Sequence, residues 1–173
     1  AGAIDVTPSK LGADLLSMAP EIRAREGELV RVMLRSELPQ PTSIHWHGLP
    51  VPNAMDGVPG VTQPPVMPGE SFTYEFVAGP PGTYFYHSHA GLQLDRGLYG
   101  ALIVEPSEVV SSDAVDREYV LMFDDWLDGA PEEAYARLQR QGGMGGGMMG
   151  GGNPLYAGYL LTGAPSRGLP PLA

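Results

Sequence analysis

The residues best equipped for chemistry are four histidines, arranged as two pairs of one spacing, His45-Trp46-His47 and His87-Ser88-His89. The chain has no other histidine. On a β-strand, side chains at i and i+2 point to the same face. Each pair therefore presents two imidazoles side by side, about 7 Å apart along the strand. Two such strands brought together make a cluster of four nitrogen ligands. Imidazole is a borderline ligand that suits Cu, Zn, Fe and Ni, so the pattern reads first as a metal site. Four unrelated strand histidines form the bland alternative, and a double pair with one spacing argues against it. A closed structural zinc site is a further alternative, although such sites usually recruit cysteine.

The chain has no cysteine. That excludes a disulfide framework, a catalytic thiol and a thiolate metal ligand. The formal net charge of −10 argues against a nucleic-acid partner and suits ordinary solubility. No apolar run approaches the roughly 20 residues of a membrane span. At 173 residues, with 24 glycines and 18 prolines, the chain suits one all-β domain with many turns, plus a fragment.

The elements that must position the histidines follow from alternation. Glu28–Arg35 alternates, with Val30, Val32 and Leu34 on one face, as a half-buried strand does. The first histidine strand is expected at 43–48. Leu49–Pro68 has no period and reads as a long loop, of the length that is usually functional or disordered; it carries Asp56. Ser71–Val77 alternates again. Thr83–His89 is the second histidine strand, with Phe85, His87 and His89 on one face. Leu98–Val104 reads as a buried strand, and Glu118–Phe123 as another. Residues 1–20 read as a lead-in with one short strand. Strands at this spacing, separated by turn residues, predict a β-sandwich or barrel.

Asp128–Arg140 changes period. Pro131 suits a first helical turn, and Glu132, Glu133, Arg137 and Arg140 are placed to complement the helix dipole. Residues 142–152 are glycine broken only by Met144, Met148 and Met149, a composition that forms no packed structure. Thioether sulfur is a soft ligand for Cu(I), so these methionines are either a copper-binding segment or incidental to a linker. Asp124, Asp125 and Asp128 read as helix entry and solvated surface.

The run His45-Trp46-His47-Gly48, then Met55-Asp56-Gly57-Val58-Pro59, Thr62-Gln63, Pro68-Gly69, Gly82 through His89, and Gly97-Leu98-Tyr99-Gly100 resembles the first cupredoxin domain of a multicopper oxidase of the laccase type. The match keeps its order over about half of the chain. The resemblance implies a Greek-key cupredoxin-like β-sandwich or barrel over residues 1–126. A short helix and a Gly/Met-rich linker follow over 127–152. Residues 153–173 would carry the first strand and tail of a second cupredoxin domain, opening near Tyr159-Leu160-Leu161.

By position in the family's motif, His45 would bind the type 2 copper. His47 and His87 would bind one type 3 copper, and His89 the other. Four imidazoles are too few for three coppers and oxygen. The family supplies the rest from a C-terminal domain whose cysteine also holds the type 1 copper, absent from this chain. The remaining cupredoxin domains are therefore expected as partners, whether the chain was cleaved from them or is a separate subunit. Dioxygen and a small phenolic or metal-ion reductant are expected as substrates. Asp56 would relay protons to the copper cluster; locally, an Asp before glycine also stabilises a turn. Trp46 points away from the ligands and is expected in the core. Family members are commonly exported, so the resemblance implies a periplasmic or extracellular location. The alternative function is a non-enzymatic copper-binding cupredoxin module for storage or delivery.

Overall fold

The computed structural model describes residues 3–6, 20–108, 117–142, 156–161 and 164–165. Met144, Met148 and Met149 lie outside the described residues, as do most of the lead-in and the tail. The chain divides into two compact units, Ala1–Val120 and Leu121–Ala173.

Among the described residues the first unit holds seven strands: β1 (Ala3–Val6), β2 (Ile22–Arg25), β3 (Leu29–Arg35), β4 (His45–His47), β5 (Ser71–Val77), β6 (Gly82–His87) and β7 (Tyr99–Glu105). They form two sheets, ordered β1-β3-β5 and β2-β7-β6-β4. From β1 to β6 each strand enters the other sheet from its predecessor, and β7 stays beside β6. The pairs β1–β3 and β2–β7 are parallel, while β3–β5, β4–β6 and β6–β7 are antiparallel. Strands adjacent in a sheet are thus mostly distant in sequence, as the cupredoxin-like sandwich expected from the motifs requires.

Alternation decides what the sheets bury. In β3, Val30, Val32 and Leu34 point inward; in β5, Tyr74 and Phe76 do. Opposite them lie Ile22 and Ala24 of β2, Trp46 of β4, Tyr86 of β6, and Leu102 and Val104 of β7. Trp46 is fully buried. Its ring packs 4.8 Å from Phe76, 5.4 Å from Tyr74 and 5.8 Å from Tyr86, centroid to centroid. Side chains of this size dominate the energetics of such a core.

Several elements depart from expectation. β2 was hidden in a segment with too few alternating residues to count, yet Ile22 and Ala24 face the core and pair alongside β7. The second histidine strand stops at His87, leaving His89 beyond it. The strand expected at Glu118–Phe123 instead runs Phe123–Trp126 as β8, because hydrogen-bond partners are available there. In the second unit, β8 pairs antiparallel with β9 (Gly158–Leu161), which pairs with β10 (Ala164–Pro165). Helix α1 spans Pro131–Gly142, with Ala134 buried and Leu138 half-buried. Asp124 and Asp125 stand in β8 rather than at a helix entry, and Asp128 is exposed.

Candidate metal centre

The register of β4 on β6 builds the site. His45 is paired with His87, Trp46 with Tyr86 and His47 with Phe85. Because faces alternate, Trp46 and Tyr86 turn into the core while His45, His47, Phe85 and His87 share the other face. A slip of one residue would reverse all of them. The burial of Trp46 and Tyr86 thus fixes where the imidazoles point.

All four histidines converge. The His45 ring lies 5.7 Å from His47, 5.4 Å from His87 and 5.4 Å from His89. His47 and His87 are 5.4 Å apart, and His87 and His89 6.1 Å. One ring nitrogen from each of His45, His47 and His87 falls within 4.8 Å of the others. His87 is buried, His45 half-buried, and His47 and His89 exposed. Phe85 stacks against His47 at 4.5 Å and His87 at 5.2 Å, forming an apolar wall on one side of the cluster.

Hydrogen bonds select the nitrogens that remain free. His45 Nδ1 donates to the Asp56 carbonyl oxygen at 2.8 Å, so in the neutral ring Nε2 is the bare nitrogen. His87 Nδ1 donates to the Ser88 carbonyl oxygen at 2.8 Å, and its Nε2 accepts from His47 Nδ1 at 3.2 Å. Carbonyl partners of this kind fix tautomer and ring orientation in metal-ligating histidines. Burial lowers the His87 pKa, and the imidazoles of His45, His47 and His89 lower it further, against the Ser88 carbonyl, which raises it. The neutral form, which metal binding requires, is thereby favoured.

Asp56 lies at the rim. Its carboxylate Oδ1 is 3.3 Å from His45 Nδ1, and it is about one-third exposed. The loop that carries it was legible only as irregular chain, yet it is pinned at two points. Thr42 and Val66 exchange backbone hydrogen bonds. Gly57, at φ +79°, lies so close to strand β4 that a Cβ there would sit 1.7 Å from the Ile44 carbonyl oxygen. Sequence reasoning also missed Gln93, a buried side chain bonded to Thr42, Ser88 and Pro41.

The donor set fits copper. It consists of imidazoles whose ring nitrogens meet: His47 Nδ1 and His87 Nε2 stand 3.2 Å apart, and once the proton between them is displaced one ion with bonds of about 2 Å would fit there. Residues 11–109 match the family model described as multicopper oxidase. The chain belongs to the multicopper oxidase family. It is 38% identical over 142 residues to copper resistance protein A of Escherichia coli, covering 80% of this chain and 23% of that protein. It is 42% identical over 123 residues to the multicopper oxidase MmcO of Mycobacterium tuberculosis, covering 69% of this chain and 24% of that one. Among solved structures, the multi-copper oxidase of Pseudomonas thermotolerans superposes with a TM-score of 0.73 at 30% identity, over 95% of this chain and 42% of that one. The blue copper oxidase of Nitrosomonas europaea gives 0.71 at 29% identity, over 94% and 53%. The chain thus spans about a quarter of the length of these curated multicopper oxidase relatives. Among its described residues, no helix is long and apolar enough to cross a membrane.

Proposed function

We propose that this chain is the N-terminal part of a multicopper oxidase and supplies half of the ligands of a trinuclear copper cluster. The observation that carries the proposal is the meeting of His45, His47 and His87 nitrogens within 4.8 Å on the face opposite a buried tryptophan. His45, through Nε2, is the type 2 ligand. His47 and His87, whose ring nitrogens meet at 3.2 Å, would hold one type 3 ion, and His89 the other. The remaining ligands, and the cysteine of the type 1 site, come from further cupredoxin domains. We read Tyr159-Leu160-Leu161 as the opening of the next one. We place this chain's role outside the cytoplasm, as the family resemblance implies.

Copper bound at such a cluster supplies the one-electron chemistry that reduces dioxygen to water while phenols, related aromatics or a metal ion are oxidised. This chain's own residues orient and insulate. The Asp56 and Ser88 carbonyls hold two imidazoles in the tautomer that leaves Nε2 bare. Phe85 keeps water from one flank of His47 and His87. Reduction of oxygen to water consumes four protons. Asp56 is the carboxylate placed to hold and pass them, being adjacent to His45 and open to solvent.

The test uses the whole protein loaded with copper in air. The expected result is about four coppers per molecule, an intense blue band and oxygen uptake with a phenolic reductant. Replacing Asp56 with asparagine should leave copper content unchanged and slow oxygen reduction by about 10²-fold or more. Copper binding without oxygen uptake would favour a storage or delivery module. A D56N variant with unaltered turnover would remove Asp56 from the mechanism.

A further inference from the structure

The ladder between β4 and β6 covers His45, His47 and His87 but ends before His89. Backbone pairing therefore sets three imidazoles and leaves the fourth to some other device. Gln93 stands where such a device is needed. It is almost fully buried, as are Thr42 and Ser88. Its Oε1 accepts from the Thr42 hydroxyl at 2.7 Å and from the Ser88 hydroxyl at 2.6 Å. Its Nε2 donates to the Pro41 carbonyl oxygen at 2.9 Å. The orientation of the amide is forced, because the proline carbonyl can only accept.

The geometry points to Gln93 as the positioning residue for His89. Thr42 lies three residues before His45, and Ser88 lies between His87 and His89. One amide thus fastens the approach to the first histidine pair onto the centre of the second, beyond the end of the ladder. The Ser88 hydroxyl also accepts from the Ala90 amide at 3.1 Å, so His89 is held from both sides through one oxygen. The segment carrying Gln93 is anchored as well: the Gln93 carbonyl accepts from Leu98, and the Leu98 carbonyl accepts from Ser88. A side-chain network buried and satisfied in this way rigidifies what it joins. Its effect is to keep the His89 ring 5.4 Å from His45 and 6.1 Å from His87.

The test replaces Gln93 with leucine in the full chain and reads the imidazole nitrogen resonances without metal, then titrates copper(II) ions. The expected result is that the His89 signals shift and broaden while those of His45 and His47, set by the β4–β6 ladder, keep their places. Affinity for copper should fall at least ten-fold. Gln93→Glu, which keeps an acceptor for both hydroxyls, should hold the His89 signals nearer their original positions. Val32→Ala, in the other sheet, is the control: it loosens the core and should leave His89 alone. Should Gln93→Leu fail to fold, Thr42→Val is read by the same criterion. Unmoved His89 signals in the leucine variant, or an equal shift in the Val32 control, would overturn the inference. The copper titration rests on the proposed copper site. The metal-free spectrum does not, so the two readings can fail separately.

Discussion

Replacing Gly57 with alanine isolates the contact that docks the Asp56 loop against the histidine strand. Gly57 has φ +79°, and alanine in the left-handed region costs about 1–2 kcal/mol. Gly27, at φ +85°, carries the same backbone penalty, but a Cβ there meets nothing within 4 Å. A Cβ on Gly57 would fall 1.7 Å from the Ile44 carbonyl oxygen, against an ordinary C···O contact of about 3.3 Å. The loop must therefore retreat by about 1.6 Å, which stretches the His45 Nδ1 to Asp56 carbonyl bond from 2.8 Å beyond hydrogen-bonding range. Overpacking of this kind costs about 1–3 kcal/mol, and the lost hydrogen bond about 1 kcal/mol more. Gly57→Ala should thus be about 2–4 kcal/mol less stable than Gly27→Ala in urea unfolding. It should also bind copper about 10–100-fold more weakly, while Gly27→Ala binds as the parent does. Equal unfolding midpoints and equal affinities in the two variants would refute the reasoning.

Trp46→Ala should lose about 3–5 kcal/mol of stability and spread the imidazoles, seen as weaker copper binding, whereas Trp46→Phe should lose less on both counts. The lowered pKa of His87 makes the metal-free fold sensitive to acid. Between that lowered value and the ordinary 6.5 the unfolded chain binds more protons, so stability rises with pH through this window and is flat above it. A His87→Gln variant should flatten the slope in pH-dependent urea unfolding, and an unchanged slope would assign the effect elsewhere. Arg23 is gripped by Glu21, Glu105 and Glu118, which raise its pKa. Its side chain is 35% exposed, so Arg23→Met should cost less than about 1 kcal/mol, a difference that fades in 1 M salt.

The site was legible where chemistry and periodicity coincided. His45 and His47, spaced by two, had to share a face if they lay on a strand, and Trp46 between them had to face the core. The convergence of the two pairs depended on a register that no local pattern states. That register is the pairing of β4 with β6. Asp56 was singled out through its flanking residues. The reason its loop stays near His45 lies in a glycine packed against a carbonyl oxygen, a contact that no periodicity encodes. Gln93 gave no signal, because an isolated glutamine in a polar segment looks like surface until the fold buries it. β2 was missed because two inward residues are too few to show a period. The strand expected at Glu118–Phe123 was displaced because a strand needs a hydrogen-bonding neighbour as well as suitable side chains.

The alternation along β4 has a practical consequence for anyone modifying this protein. The tripeptide at positions 45–47 carries a core anchor and two ligands on one short piece of backbone, so any repacking around the indole is transmitted to the ligands. The sheet of β1, β3 and β5 bears none of the four imidazoles. Thermostabilising substitutions are therefore best sought on the outward-facing positions of that sheet, away from Tyr74 and Phe76, which touch the indole.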